Sequence, residues 1–382
     1  MKKSMAAAAV FSAFACSAFA ADVQLYGVID TGLRYLHSDL VNQSGTNKFS
    51  MESGQQSGSR FGFKGTEDLG NGLSVGFILE NQFNSDDGSL KDGLLFRRET
   101  SLFIEGGFGK LAFGRMGSIN GGTSSWGRHD VLSAFGTSWG SYVAQADTVF
   151  GNSGLWNNMI AYETPSFGGF KAFAQYGMGN QAKDHPGFEN ESSSDRYYAV
   201  GTSYANGPLN LFLSVDSINY ASYNPTENAT SKQDDSLTVR LGGNYDFEVA
   251  KVYAGAAYFD EVQLSSFAGA VTDSVNMTNK NLSSQIKLKG WSAGVSGSIP
   301  VANGKAMIGA AYMDAKTADS MPDDVDFSRW IISAGYDYPL SKRTNVYSVV
   351  TYNRDSVDFR NAQTPNIDPN VYGIMIGMRH AF

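Results

Sequence analysis

The stretch LTVRLGGNYDF, residues 237–247, alternates strictly between two kinds of side chain. Its alternate positions form an apolar, aromatic or small set and a mostly polar set: Leu237, Val239, Leu241, Gly243, Tyr245 and Phe247 in the first, and Thr238, Arg240, Gly242, Asn244 and Asp246 in the second. A period of two residues is typical of a β-strand, whose successive side chains point to opposite faces. The stretch therefore predicts a strand with one apolar face and one face toward water.

The same pattern recurs along the chain, most clearly in residues 209–216 and 371–382. Marking every such stretch predicts sixteen strands: near 23–37, 58–67, 73–83, 96–105, 110–116, 158–164, 170–177, 196–204, 209–217, 236–247, 251–262, 285–299, 305–315, 327–338, 345–355 and 371–382. The connections after even-numbered strands are short, as at residues 68–72 and 106–109. The connections after odd-numbered strands are longer and polar.

Short turns at one end of the strands and long loops at the other are typical of an outer-membrane barrel. Beyond the N-terminal segment, no apolar run approaches the ~18 residues that a membrane helix needs. The sequence thus predicts an all-β fold, a 16-stranded antiparallel transmembrane β-barrel in the bacterial outer membrane, with short periplasmic turns, long external loops and a water-filled lumen. A soluble secreted β-sandwich also has alternating strands, but its long loops would be distributed over both ends.

Residues 1–20 have the features of a secretory signal peptide: a charged start, an apolar stretch and a small-x-small site at Ala18-Phe19-Ala20. Its removal leaves 27 basic against 37 acidic residues, a net charge of −10, which disfavours a nucleic-acid partner. Cys16 is the only cysteine, so the remaining chain has no disulfide and no thiolate or cysteine-ligated metal chemistry. Lipid attachment at Cys16 is the alternative, and Phe14 in the preceding Ala13-Phe14-Ala15, a bulky residue where a small one is expected, disfavours it. No cofactor is predicted.

Several short motifs resemble the Gram-negative general porins of the β-proteobacterial and neisserial type. They occur in the family's order over residues 21–382: Val23-Gln24-Leu25-Tyr26-Gly27-Val28-Ile29-Asp30, Ser59-Arg60-Phe61-Gly62-Phe63-Lys64-Gly65, Glu67-Asp68-Leu69-Gly70-Asn71-Gly72, Gly107-Phe108-Gly109-Lys110-Leu111-Ala112-Phe113-Gly114-Arg115, Ile160-Ala161-Tyr162-Glu163-Thr164-Pro165-Ser166-Phe167-Gly168-Gly169-Phe170, Leu340-Ser341-Lys342-Arg343-Thr344 and Phe382. The resemblance implies one barrel domain over residues 21–382, usually a homotrimer, that lets small hydrophilic solutes and ions diffuse passively. It also implies that Phe382 is the signal read by the barrel assembly machinery.

The resemblance further implies that the third external loop folds into the lumen as a constriction. Independently, a connection of some forty residues, 117–157, exceeds the ~15 residues usual for an unstructured loop, so it should pack against something. Placing apolar faces toward lipid directs a mainly basic set of side chains inward: Asp30, Arg34, Arg60, Lys64, Lys171, Arg240, Asp246, Arg329, Asp337 and Arg379.

The candidate constriction residues are six charged side chains: Arg34, Arg60, Arg97 and Arg98 on the wall, and Asp130 and Asp147 on the loop. In the resembling family, wall arginines face loop acids and produce a transverse field, and Arg60 matches that wall position best. Alternation places Arg97 inward and Arg98 outward unless a bulge intervenes. Arg34 has a local alternative, an ion pair with Asp30.

Acidic residues in the external loops suggest divalent cations shared with lipopolysaccharide phosphates, although such runs are usually only solvated surface. Two Gly-x-Ser-x-Gly matches, at residues 136–140 and 290–294, lack the strand-to-helix context of a hydrolase nucleophile. A barrel enzyme and an adhesive or structural barrel remain the alternative functions. For a channel, the wall arginines favour weak anion preference or near-neutral selectivity.

Overall fold

In a computed structural model, the described residues are 23–39, 45–179, 189–224, 229–230, 234–267, 286–321, 324–360, 366 and 368–382. Nearly all of the regular structure is β-strand, in segments that form one antiparallel sheet of sixteen strands. In chain order these are β1 Gln24–Ser38, β2 Thr46–Ser53 and Arg60–Gly70, β3 Leu73–Glu80, β4 Glu99–Gly106, β5 Gly109–Gly117, β6 Leu155–Glu163, β7 Phe170–Gly177, β8 Arg196–Asn206, β9 Leu209–Asn219, β10 Leu237–Asp246, β11 Lys251–Gln263, β12 Lys287–Val301, β13 Gly304–Thr317, β14 Val325–Pro339, β15 Thr344–Phe359 and β16 Asn370–Ala381.

The sheet closes on itself. Each strand pairs antiparallel with the next, and β1 pairs with β16 from Val28 opposite Ala381 to Ser38 opposite Val371. A closed sheet leaves no unpaired edge, as a lipid environment requires. The predicted 16-stranded barrel is therefore confirmed.

The second strand differs from the prediction. Near residues 58–67 the sequence predicted one short strand, whereas both Thr46–Ser53 and Arg60–Gly70 pair with β1 and together form β2. The upper part of β2 was missed because residues 46–53 carry Lys48 and Glu52 beside Phe49 and Met51, a weak alternation next to a polar loop.

The two faces of the strands follow the predicted alternation. On β10, Leu237 and Leu241 are 40% and 58% exposed on the outer surface, whereas Thr238 and Arg240 are 2% and 1% exposed on the inner side. Apolar side chains that face outward on every strand suit a surface surrounded by lipid tails.

Tight turns join the strands at one end of the barrel. Between β2 and β3, Asn71 and Gly72 both have positive φ, 54° and 75°. Between β12 and β13, Ala302 and Asn303 likewise have φ of 46° and 65°. Two consecutive left-handed residues match the right-handed twist of a hairpin. Asparagine and glycine adopt this conformation most readily, which accounts for Asn71 and Gly72 in the first turn and Asn303 in the second.

In the described ranges, four short helical segments lie outside the sheet: 3-10 turns at Lys91–Gly93, His129–Leu132 and Leu264–Ser266, and an α-helix at Ala146–Phe150. A two-stranded ladder joins Tyr223–Asn224 to Ala229–Thr230. Among the described residues, no helix has the length and apolar character needed to cross a membrane.

Candidate pore constriction

The connection between β5 and β6, residues 118–154, is called the third loop here, and it is fixed to the inner wall by hydrogen bonds. Its contacts start at β4 and continue around the barrel to β15: Ser125 N to Glu99 Oε2 at 2.8 Å, Ile119 N to Gln175 Oε1 at 2.8 Å, Asn244 Nδ2 to Val131 O at 3.0 Å, Ala134 N to Ser296 Oγ at 2.9 Å, Ala144 N to Ser333 Oγ at 3.0 Å and Thr351 Oγ1 to Tyr142 O at 2.6 Å. The wall serines, threonine, amides and the Glu99 carboxylate thus satisfy backbone groups that would otherwise be buried unpaired.

Apolar contacts hold the same loop at three places. Trp126 packs with Phe103 and Trp156, Phe150 packs with Phe212, and a third cluster joins the loop to β13, β15 and β16. The third cluster contains Phe135, Trp139, Val143, Met307, Tyr347, Val349 and Met375. Burial of several large side chains on the loop, each worth about 1.5–3 kcal/mol, gives it a fixed position.

Two arginines that the sequence directed toward water in the lumen are instead buried and paired. Arg240 is 1% exposed and bonds Asp216 and the Phe150 carbonyl of the third loop. Arg329 is 2% exposed and makes a two-pronged pair with Asp355, at 2.7 and 3.0 Å. Because the third loop covers part of the wall, an inward position on a strand does not by itself place a charge in the pore.

Arg60 and Arg98 share one carboxylate. Arg60 Nε lies 3.5 Å from Glu80 Oε2, and Arg98 Nε lies 2.5 Å from Glu80 Oε1. Tyr26 donates its hydroxyl to Glu80 Oε2 at 3.0 Å. A third guanidinium, Arg379, reaches Ser57 Oγ at 3.4 Å, and Arg60 donates to the same hydroxyl at 3.1 Å. Two guanidiniums therefore share one acid, and a third, that of Arg379, lies beside Arg60 at Ser57 and across from Asp30 where β16 pairs with β1.

Glu80 was missed by the sequence reasoning, although a signal existed. It follows Ser74, Gly76 and Ile78 at alternate positions of β3 and so shares their inward face. The acid beside the wall arginines is therefore on the wall, not on the third loop.

Arg97 and Arg98 precede β4, so its alternation does not govern them. Both donate to Gln82 Oε1, Arg97 at 2.9 Å and Arg98 at 3.4 Å. Arg97 also pairs with Asp92 and lines a cavity of about 420 Å³ with Arg115 and residues of the third loop. Alternation alone would turn Arg98 outward, whereas Arg98 is buried beside Glu80, because the regular strand begins one residue later, at Glu99.

Arg34 pairs with a different acid from the one considered. Its Nη2 lies 2.5 Å from Glu52 Oε1, on the part of β2 that the sequence did not predict. Asp30 instead accepts hydrogen bonds from the backbone of Gln56 and Ser57 and from the Tyr347 hydroxyl.

The two loop acids have different surroundings. Asp130 is exposed in the 3-10 turn His129–Leu132. Asp147 lies 3.2 Å from His129 Nδ1 and accepts from Asn152 Nδ2 at 2.6 Å. Burial lowers the pKa of His129 and outweighs the opposing effect of Asp147. Asp147 is thus engaged within the loop, whereas Asp130 faces solvent.

Phe382 lies on the outer surface, over Gly27 of β1. Its backbone exchanges two hydrogen bonds with Gly27, both at 3.0 Å, and a Cβ at Gly27 would stand 2.3 Å from the Phe382 ring. Only glycine allows the ring to lie so close. The predicted signal peptide, residues 1–20, lies outside the described residues. Over the parts of the chain that are described, no group of three or more His, Cys, Asp or Glu is placed to hold a metal ion.

The family model described as Gram-negative porin matches residues 6–358. The outer membrane porin protein of Bordetella pertussis is 33% identical over 415 residues, covering 100% of both chains. Outer membrane porin protein 32 of Delftia acidovorans is 29% identical, again over 100% of both. Among solved structures, the anion-selective porin from Comamonas acidovorans has a TM-score of 0.62 and 24% identity, over 95% of this chain and 100% of the other.

These full-length matches agree with the closed barrel and its outward apolar faces. The chain belongs to the Gram-negative porin family: it is a multi-pass outer-membrane protein whose barrel forms a water-filled channel for the passive diffusion of small hydrophilic solutes and ions.

Proposed function

We propose that this channel has weak anion preference or near-neutral selectivity at physiological salt, set where Arg60 meets the lumen. The observation that carries the proposal is the pair Arg60 and Arg98 on one acid, Glu80, with Arg379 beside Arg60 at Ser57. Arg60 and Arg98 bring two positive charges to the one negative charge of Glu80, while Arg379 faces Asp30 on the paired strand. The third loop presents Asp130 as its solvent-facing acid. The proposed constriction residues are Arg34, Arg60, Arg97, Arg98, Asp130 and Asp147, with Glu80 and Arg379 beside Arg60. Residues 117–157 are the proposed constriction loop.

Charges at the outer mouth act in the opposite direction. The chain carries 37 acidic against 29 basic residues, and acids such as Asp86, Asp87 and Asp319 lie in external loops. Charges in an aqueous vestibule are screened within about 8 Å at physiological salt, whereas charges at a constriction act at short range. We therefore expect selectivity to drift toward cations as the ionic strength falls.

Reconstitution in planar bilayers tests this proposal. Reversal potentials in a KCl gradient should show weak anion preference, and Arg60→Ala should shift them toward cations. Arg343→Ala, which removes the same charge from an exposed periplasmic turn, is the matched control and should leave them unchanged. Strong cation selectivity at high salt, or an unchanged reversal potential in Arg60→Ala, would contradict the proposal.

We also propose a homotrimer in which the outer faces of β1 and β16 contribute to the contact. Leu25, Ile29, Ile374 and Ile376 are 40–60% exposed there, and branched and small side chains allow close packing in lipid. An outer membrane protein of Vibrio cholerae with this fold is described as a trimer. Only monomers in mild detergent, by mass measurement, would contradict it.

Recognition of Phe382 by the barrel assembly machinery, and lipopolysaccharide bound through divalent cations at the acidic loops, are also proposals. We infer no enzymatic activity. The hydrogen bonds of the described His37, His129 and His380 go to Asn47 and Asp39, to Asp147 and to Thr344. None of these partners is the serine that a Ser-His hydrolase needs.

A further inference from the structure

The break in β2 is an insertion of four residues. Below it Val28 of β1 pairs with Arg60, and above it Thr31 pairs with Ser53. Two residues of β1 therefore face six of β2, Gly54–Ser59, which we call the inner bulge. Four is an even number, so the inward and outward faces of β2 remain in phase on both sides of the break.

The extra residues fold into the lumen and are held by Asp30, which is 0% exposed. Its carboxylate accepts the backbone N–H groups of Gln56 and Ser57 at 2.8 and 2.7 Å, and the Tyr347 hydroxyl at 2.5 Å. The Gln56 side chain extends past β1 and β16 to Asp337 and Asn345, at 2.8 and 2.7 Å. The inner bulge thus lies flat on the inner wall.

A neighbouring segment fills the gap that the inner bulge leaves in the sheet. Residues beyond β3 continue its direction, with Phe83 N donating to Ser59 O at 3.0 Å. Ser85 Oγ donates to Asp30 O at 2.9 Å, and Ser85 N donates to Ser53 Oγ at 2.8 Å. Backbone groups facing lipid would otherwise lose partners. The wall is therefore built to accommodate the inner bulge.

Tyr347 joins the inner bulge to the third loop. Its hydroxyl bonds Asp30, and its ring packs edge-on against Trp139 of the third loop, with centroids 5.3 Å apart. Trp139 in turn packs edge-on against Phe135 at 6.0 Å. A displacement of either inward element would therefore disturb the contact of the other.

The inner bulge also fixes polar groups of the cationic cluster. Arg60 Nη1 donates to Ser57 Oγ and to Gly58 O, at 3.1 and 3.0 Å, and Arg379 Nε donates to Ser57 Oγ. The directions of two guanidiniums thus depend on where Ser57 and Gly58 lie.

We propose that the inner bulge Gly54–Ser59 is a second constriction element, that Asp30 positions it, and that Tyr347 couples it to the third loop. This inference rests on the proposed role of Arg60 in the pore. Asp30 and Tyr347 act as positioning residues: they set the width of the pore and the direction of Arg60 without contacting the solute.

Deletion of residues 55–58 tests the proposal directly. It removes the four extra residues and brings Gly54 opposite Asp30 and Ser59 opposite Ile29, in the register already present above and below. We expect the single-channel conductance to rise roughly 1.5-fold or more, because pore width limits conduction. A folded deletion variant with native conductance and reversal potential would overturn the proposal.

Point variants cover the case in which the deletion does not fold. Asp30→Asn removes the charge that strengthens the hydrogen bonds from the Gln56 and Ser57 backbone to residue 30. The conformation in which the inner bulge has left residue 30 should therefore be populated roughly tenfold more than in the native protein. Tyr347→Phe should have a smaller effect of the same kind. Both are read as increased open-channel current noise and a shifted reversal potential, in protein shown to be folded by its heat-dependent gel mobility.

The matched controls lie on the outer face of the same barrel. Asp314→Asn and Tyr352→Phe remove the same groups from exposed outward positions and should leave noise and reversal potential unchanged. If Arg60→Ala shifts the reversal potential but folded Asp30→Asn and Tyr347→Phe behave as native protein, the inner bulge has no positioning role and the proposed selectivity stands. If Arg60→Ala also has no effect, the proposed selectivity fails as well.

Discussion

Removal of the Glu80 charge should make the channel distinctly more selective for anions. The carboxylate lies 3.5 Å from Arg60 Nε, so an anion held about 3 Å beyond the guanidinium would be roughly 6.5 Å from it. At that distance two unit charges in water interact by about 0.6 kcal/mol. Since 1.4 kcal/mol is a factor of ten, Glu80→Gln should favour the anion about threefold. A cation loses the same amount, so the permeability ratio should change by up to roughly eightfold.

Reversal potentials in a tenfold KCl gradient, taken with native protein and Glu80→Gln in parallel, measure this ratio. Glu248→Gln, on an exposed periplasmic turn, removes the same charge away from the cluster and should leave the ratio unchanged. Gel mobility before and after heating shows whether each variant is folded. A folded Glu80→Gln channel with an unchanged ratio, or one that shifts toward cations, would refute this account of the cluster.

Three further predictions concern the third loop. Asp130→Ala should shift the reversal potential toward anions more than Asp147→Ala does, because Asp147 is held by His129 within the loop; equal shifts would contradict the assigned orientations. Asp216→Ala leaves the buried Arg240 guanidinium without its acid and should destabilise the folded barrel by about 3–5 kcal/mol, seen as a lower temperature of the heat-dependent gel shift; an unchanged temperature would count against it. Because burial lowers the pKa of His129, a displaced loop binds a proton more readily than the docked loop does. The contact of the third loop with the wall should therefore be fully stable above the ordinary histidine pKa of about 6.5 and weaken as the pH falls below it. Conductance fluctuations should then be more frequent at pH 5 than at pH 7. Fluctuations that do not depend on pH would contradict this prediction.

The sequence by itself determined the barrel and the faces of its strands. Leu237 and Leu241 face outward and Arg240 faces inward, as a period of two residues requires. This inference succeeds because strand alternation is a local property: a membrane barrel must present apolar side chains to lipid along each strand, whatever its neighbours are. The alternation of short and long connections likewise records which end of the barrel each strand reaches.

Tertiary structure alone decided which inward charges face the pore. Arg240 is buried against the Phe150 carbonyl of the third loop and Arg329 against Asp355 of the adjacent strand, whereas Arg60 shares Glu80 with Arg98. Alternation reports the face of a strand, but it carries no information about what later covers that face. Partners such as Asp30 and Tyr347 are 317 positions apart in the chain, so their contact exists only once the sheet has closed. The inner bulge follows the same rule, because an even insertion of four residues preserves the phase of both flanking segments and becomes visible only when β2 is paired with β1.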